Sequence, residues 1–252
     1  MRGIEEALVK RTLERFGDRV TFASMFGSYV RGEDDAHSDL DVLVVCRDWE
    51  AGSLLNAALT RLGRRIGRRI HVNIYLQNSL EERLRRHDYL IASMLEDSVP
   101  ILGWRNLEEA RSRILNGLPD GESISFNRTM GWRILTRTKN QLKRYIEAYQ
   151  PLTAAKEPLK GNLLRTLEDY QVGLGYLTAS LEMERLGRVV TFRRLLSLGS
   201  GLPLKNLLKV ERSLRRGWEA PSLQNSVLGS LAELRRLTAG WTTYPARFLR
   251  SS

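Results

Sequence analysis

Residues 27–45 read GSYVRGEDDAHSDLDVLVV, and this stretch decides how the first part of the chain folds. Apolar segments at 20–26 and 40–45 flank its polar middle. They predict two short strands that are joined by a tight Gly-Ser turn and a polar loop. Because side chains alternate between the two faces of a strand, the apolar residues of the second strand should share one face. Asp39 and Asp41 should lie together on the opposite face, where that strand begins.

This arrangement predicts a site for a metal ion and a nucleoside triphosphate. Two carboxylates on a half-buried strand repel each other, and a cation between them removes most of that cost. Mg²⁺ (or Mn²⁺) is held in proteins by a few carboxylates together with water and substrate phosphates, which fits Asp39 and Asp41. Gly27 lets the backbone approach a ligand closely, and the N–H groups that open a helix at Tyr29 can bind phosphate oxygens. Ser28 adds a hydroxyl donor.

The joined pattern of Gly27-Ser28, ten residues and then Asp39-x-Asp41 resembles the signature of the DNA-polymerase-β-type nucleotidyltransferase superfamily, with the spacing of its minimal branch. The resemblance implies Mg²⁺-dependent transfer of a nucleoside monophosphate, with ATP the favoured donor, to an acceptor hydroxyl that it does not identify. It implies that Asp39 and Asp41 are the catalytic metal ligands. The predicted nucleotide-binding residues are Gly27, Ser28, Arg31 and Ser38.

The predicted third strand, residues 70–76, departs from the pattern of that superfamily. Active members place a third carboxylate on this strand, and the matching residue here is His71, or Asn73 if the register slips by two. His71 can bind a divalent metal and is included among the expected metal ligands, but it supplies no negative charge. One interpretation is altered metal geometry with retained activity. The alternative is a weakened catalyst that binds nucleotide, RNA or a partner protein without turnover.

Composition sets the broad class of the protein. The chain has 252 residues, of which 42% are hydrophobic, enough for one large domain or two ordinary ones. It has no apolar run of eighteen residues, which argues against a membrane span, and its first residues do not have the pattern of a signal peptide. The single cysteine, Cys46, fits a reducing compartment, so we expect a cytoplasmic protein.

The net positive charge of the chain, +11, comes entirely from the second half of the sequence. Residues 1–115 contain 18 Lys and Arg against 18 Asp and Glu, whereas residues 116–252 contain 22 against 11. An excess of this kind predicts an anionic partner: a triphosphate, a nucleic acid or an acidic protein surface.

Hydrophobic periodicity completes the predicted first domain, residues 1–116. Helices are expected at 4–16 and 51–66, and Ser79-x-x-Glu82 reads as a capping box that opens one helix running to about residue 96. With a short strand at 99–102, the prediction is an α/β (α+β) nucleotidyltransferase core built on a mixed sheet of about four strands.

The second domain, residues 125–252, is predicted to be an all-α helical bundle that follows a Gly- and Pro-containing boundary at 116–125. Its expected helices cover the regions around 134–149, 163–181, 191–199, 204–215 and 222–239. This layout resembles the kanamycin-type aminoglycoside nucleotidyltransferases, whose helical domain offers a glutamate as general base. The nearest candidate here is Glu147, one turn from the matching place. A polycationic drug suits a basic domain poorly. The resemblance also makes the helical half a candidate for mediating a homodimer.

Overall fold

The computed structural model describes residues 2–34, 38–149, 157–219, 229–230, 232–234 and 236–237. Its contacts divide into two compact units, described separately below: Met1–Ile124 with Met183–Thr191, and Ser125–Glu182 with Phe192–Ser252. The domain limits at 116 and 125 stay a prediction.

The first unit is built on a four-stranded mixed sheet, as predicted. Its strands are β1 (Val20–Phe26), β2 (Leu40–Cys46), β3 (Ile70–Leu76) and β4 (Val99–Leu102), in the order β3-β2-β1-β4. β2 pairs with β3 in parallel, and β1 pairs with both β2 and β4 in antiparallel fashion. Asp39 therefore lies just before β2, and Asp41 is its second residue.

Helices cover both faces of this sheet: α1 (Arg2–Glu14), α2 (Ser28–Arg31), α3 (Trp49–Ile66), α4 (Gln77–Arg85), α5 (Tyr89–Glu96) and α6 (Trp104–Leu115). Asp48 caps α3, because its Oδ1 accepts a hydrogen bond from the Ala51 N–H at 2.8 Å. Apolar residues of α1 and α3 form one buried cluster with alternate residues of β2, including Val42 and Val44. Asp41 alternates with these residues and therefore belongs to the opposite strand face, as expected.

The single helix predicted over residues 79–96 is wrong, because the chain forms two helices there. Asp88 is fully buried, and its Oδ1 accepts hydrogen bonds from Leu90 N (2.8 Å) and Ile91 N (3.2 Å), so that it caps a new helix. His87 adopts φ 46°, a left-handed conformation that breaks α4 from α5. The predicted capping box is also wrong: α4 begins at Gln77, and Glu82 pairs with arginines of its own helix and C-cap, Arg85 and Arg86.

The second unit is helical, as predicted. The helices that follow α6 are α7 (Gly121–Tyr149), α8 (Glu157–Leu186), α9 (Phe192–Ser197) and α10 (Leu202–Glu219). A Cβ added at Gly131 would lie 2.7 Å from the Leu177 nitrogen and 2.9 Å from the Gly173 oxygen, so the backbones of α7 and α8 touch at this point. Around this crossing α7, α8 and α10 bury a common leucine-rich core.

The boundary before the second unit and its last predicted helix differ from the sequence expectations in extent or in coverage. α7 begins at Gly121, so the last part of the predicted boundary at 116–125 is helical. The helix expected at 222–239 lies largely outside the described residues, although those described between 229 and 237 are helical.

Across the parts of the chain that the structure describes, no helix has the length and apolar character needed to cross a bilayer.

Candidate functional site

Three strand ends bring the predicted site residues together. Phe26, the last residue of β1, pairs with Asp41, and Asp41 pairs in turn with His71 on β3. Gly27 follows Phe26 directly. The C-terminal end of β1 and the N-terminal ends of β2 and β3 therefore place Gly27, Asp41 and His71 side by side at one end of the sheet.

Gly27 has a backbone conformation and a packing environment that require glycine. Its φ of 79° and ψ of −158° lie in a region that side-chain-bearing residues almost never occupy. A Cβ at this position would lie 2.5 Å from Oδ2 of Asp41 and 3.3 Å from its Cγ. The Asp41 carboxylate therefore packs directly against the backbone at the point where α2 begins, at Ser28.

His71 occupies the position at which the superfamily resemblance implies a third acid. Its Nδ1 lies 3.2 Å from Oδ1 of Asp41, and its side chain is 52% exposed. The hydrogen bond to Asp41 raises the pKa of His71 above its usual value, and it outweighs the partial burial that acts in the opposite direction. The second register considered is not the observed one: Asn73 lies opposite the fully buried Leu43.

Asp39 also has a cationic neighbour. Its Oδ2 lies 3.4 Å from Nη1 of Arg69, and the Arg69 carbonyl accepts a hydrogen bond from Leu40 N at 2.9 Å. Both predicted metal ligands are thus matched by a basic group, Asp39 by Arg69 and Asp41 by His71. A cation that binds to either carboxylate would therefore have to compete with these contacts.

The two carboxylates fit a divalent metal that is shared with a substrate. Mg²⁺ in such sites uses one or two carboxylates and completes its shell with water and phosphate oxygens, which Asp39 and Asp41 match in number and type. A closed, all-protein metal cage is not present among the described residues, where no three His, Cys, Asp or Glu side chains are grouped to hold an ion. The role of His71 as a third ligand stays a prediction.

The remaining predicted nucleotide-binding residues, Arg31 and Ser38, border this site. Arg31 lies in α2 and forms ion pairs with Glu33 (2.8 Å) and Asp97 (3.0 Å), so a phosphate would have to compete with two carboxylates. The Ser38 carbonyl accepts a hydrogen bond from Nε of Arg68 at 2.8 Å. Their phosphate-binding roles stay predictions.

Arg68 is the positioning residue that sequence reasoning missed. It is 12% exposed and ties Ser38 to Asp34, whose Oδ2 lies 2.8 Å from its Nη2. It also lies over the Tyr29 ring at 5.1 Å and pairs with Glu5 at 3.4 Å. It therefore secures both ends of the segment before Asp39. In the run RRIGRRI it differs from its neighbours only in following Gly67, which is too weak a signal to single it out.

Glu147, the candidate general base, lies in α7 of the second unit. Its side chain is half exposed, and its Oε1 lies 3.9 Å from Nζ of Lys143, one helical turn away. This is the ordinary environment of a surface glutamate, and its catalytic role stays a prediction.

Comparison with known proteins agrees with the fold of the first unit. The family model described as nucleotidyltransferase domain matches residues 5–110, which contain the whole sheet and all the predicted site residues of the first unit. No curated protein matches the chain. The family match supports nucleotidyl transfer in general, and with it a nucleoside triphosphate substrate and the divalent metals that the family generally uses. Residues 5–110 are therefore a nucleotidyltransferase domain, consistent with the DNA-polymerase-β-type superfamily.

Proposed function

We propose that the protein transfers AMP from ATP to an acceptor hydroxyl in the cytoplasm, with Mg²⁺ or Mn²⁺ as the metal. The observation that carries this proposal is the meeting of Gly27 and Asp41 at the ends of β1 and β2, with Asp39 two residues before Asp41. A glycine that no side chain can replace, placed against a carboxylate, suits a site in which backbone and acid must approach the same ligand.

Each residue has a defined task in this proposal. Asp39 and Asp41 would hold the metal, which when bound supplies positive charge against the triphosphate. Gly27 and Ser28 would hold the β- and γ-phosphates through the start of α2, and Arg31 and Ser38 would complete the nucleotide site. The acceptor oxygen forms a bond to the α-phosphorus, the bond from that phosphorus to the β-phosphate oxygen breaks, and pyrophosphate and a proton leave.

Calorimetric titration with ATP and Mg²⁺ tests the site. We expect the wild-type protein to bind in a metal-dependent manner and Asp39→Asn to lose that binding, because the variant keeps the side-chain shape and removes the charge. Asp18→Asn is the matched control, since Asp18 is 85% exposed and lies before the opposite end of β1. Equal binding by wild type and Asp39→Asn, or equal loss in both variants, would contradict the metal-ligand assignment.

A second candidate function is nucleotide binding without turnover, which the position of His71 favours. An imidazole opposite Asp41 does not supply the negative charge with which a third carboxylate would hold the metal and help to ionise an attacking hydroxyl. His71→Asp distinguishes the two. If the natural protein binds ATP without turnover, the variant should release pyrophosphate faster than wild type in the presence of an acceptor. If the natural protein is active with its own geometry, the variant should be slower.

A further inference from the structure

Glu33 lies beside the start of α2, although it follows the end of that helix. The chain reverses at Gly32, whose φ is 73°, and the Glu33 N–H then binds the Ser28 carbonyl at 2.9 Å. Ser28 is the first residue of α2 and one of the two residues proposed to hold the β- and γ-phosphates. The backbone of an acidic residue is therefore next to a residue that is expected to receive phosphate.

The side chain of Glu33 is bound to Arg31, the arginine that is predicted to bind nucleotide. Its Oε2 accepts a hydrogen bond from Nε of Arg31 at 2.8 Å, whereas Nη2 of Arg31 has no hydrogen-bond partner among the described residues. Nε and Nη2 lie along the same edge of a guanidinium, and this edge can bind a carboxylate or a phosphate through two parallel hydrogen bonds. Glu33 thus uses only one of the two donors on that edge.

Asp97 holds the other side of the same guanidinium. Its Oδ2 lies 3.0 Å from Nη1 of Arg31, and its side chain is only 12% exposed, against 60% for Glu33. An exposed ion pair contributes little to stability because water solvates both partners, whereas a buried carboxylate that loses its partner is left as an uncompensated charge. Glu33 is therefore the partner that a ligand can replace, and Asp97 is the one that stays.

A nucleotide phosphate is well suited to replace the Glu33 carboxylate on Arg31. It carries more negative charge, and its oxygens can accept from Nε and Nη2 together. The released carboxylate needs no new protein partner, since it is already largely exposed to water. Joint binding is disfavoured, because the carboxylate and the phosphate would repel each other across the same guanidinium.

We propose that Glu33 occupies the phosphate-binding edge of Arg31 in the nucleotide-free protein, and that the triphosphate must displace it in order to bind. Glu33 thereby sets the affinity of the site for nucleotide, while Asp97 keeps the guanidinium in place during the exchange. This inference rests on the proposed function, whose nucleotide supplies the competing phosphate.

Calorimetric titration of ATP with Mg²⁺ tests the displacement in Glu33→Gln, which keeps the length of the side chain and removes its charge. We expect ATP to bind this variant about three- to fivefold more tightly than it binds the wild-type protein. That gain is the one expected when a single exposed ion pair no longer has to be broken.

Glu50→Gln is the matched control, because Arg19 lies in the same way between two carboxylates. Nη2 of Arg19 is 2.6 Å from Oδ1 of Asp48 and 2.7 Å from Oε2 of Glu50, and Glu50 is the more exposed of the two acids. Glu50 follows the C-terminal end of β2, the end opposite to the candidate site. Its variant removes the same charge and should bind ATP as the wild-type protein does.

A double-mutant cycle with Arg31→Gln separates displacement from simple repulsion. A carboxylate near the site can repel a nucleotide through space without touching Arg31. If Glu33 acts by occupying Arg31, the gain from Glu33→Gln should disappear when Arg31→Gln is already present. An equal gain in both backgrounds would overturn the proposal.

The remaining outcomes distinguish this inference from the proposed function. If ATP binds the wild-type protein and Glu33→Gln equally, or if Glu50→Gln gains as much, Glu33 forms an ordinary surface ion pair. The displacement then fails while the nucleotide site stands. If no form of the protein binds ATP, the proposed function itself fails and the displacement fails with it. Binding by Glu33→Gln alone would support both.

Discussion

Replacing Gly27 with alanine tests the geometry of the candidate site at its tightest point. Alanine adds one methyl group and no charge, so any effect comes from the backbone conformation and from contact with Asp41. The φ of 79° and ψ of −158° fall in a region that costs a residue with a side chain about 1–3 kcal/mol. The new Cβ would lie 2.5 Å from Oδ2 of Asp41, so the carboxylate must also rotate.

That rotation has a cost of its own, because Oδ1 of the same carboxylate binds His71 at 3.2 Å. Loss of one half-exposed hydrogen bond is worth about 0.5–1.5 kcal/mol. We therefore expect Gly27→Ala to lower the free energy of unfolding by about 2–4 kcal/mol. Gly17→Ala is the control, since Gly17 also has a positive φ, 54°, but a Cβ there would meet no atom within 4 Å. Its expected cost is the left-handed strain alone, about 1–2 kcal/mol.

Urea unfolding of both variants, with calorimetric titration of ATP and Mg²⁺, supplies the measurement. Gly27→Ala should be the less stable of the two, and it alone should lose metal-dependent ATP binding, because the rotated Asp41 leaves its position. If Gly17→Ala and Gly27→Ala are destabilised to the same extent and both bind ATP as wild type does, the Asp41 carboxylate does not lie against Gly27 and the reasoning fails.

Two further predictions concern the surroundings of the site, both measured by urea unfolding. Arg68→Met should lower the free energy of unfolding by about 3 kcal/mol, because Asp34, which is 8% exposed, loses its charge partner. The exposed control Arg65→Met should lower it by less than about 0.5 kcal/mol. Equal effects of the two substitutions would contradict the anchoring role of Arg68. Burial lowers the pKa of His87, whereas the hydrogen bond to Asp41 raises the pKa of His71. When the pH is lowered from 7.5 to 5.5 in EDTA, His87→Asn should therefore lose less free energy of unfolding than the wild-type protein, and His71→Asn should lose more. The signs follow because a histidine with a lowered pKa stabilises the fold above about pH 6.5 and one with a raised pKa stabilises it below that pH; changes of the same sign in both variants would refute the assignment.

The sheet was predictable because period-2 apolar patterns and turn residues determine it locally. The bounds of β1, β3 and β4 agree with the patterns, and those of β2 differ by one residue. The break between α4 and α5 was missed because helical periodicity continues through it. Its cause is a buried carboxylate, Asp88, which caps α5 while His87 takes a left-handed conformation. An aspartate before the apolar run YLIASML was the available signal for that cap.

The residues of the candidate site were predictable from the sequence motif, whereas the residues that position them were not. Gly27, Asp39 and Asp41 are close in sequence, and strand alternation places the carboxylates. The pairs that surround them join segments about 30 or more residues apart, as in Arg68 with Ser38 and Arg31 with Asp97. No local pattern specifies which of several arginines turns inward, because that choice depends on the space left between packed elements.

The parallel register between β2 and β3 identifies His71 as the residue at the place where the superfamily resemblance implies a third acid. Residue 71 is the one opposite Asp41, and moving two residues along reaches Asn73 opposite a fully buried leucine, so no acid on that strand face can reach the site without a change of sequence. Arg69 places a positive charge beside Asp39, and the histidine at position 71 lies within hydrogen-bonding distance of one oxygen of Asp41. A cation that binds alone would have to displace these partners and would gain little, whereas a metal that arrives with a triphosphate brings anions that Arg69 and the start of α2 can receive. The charge balance of the candidate site thus favours a metal that binds together with its nucleotide.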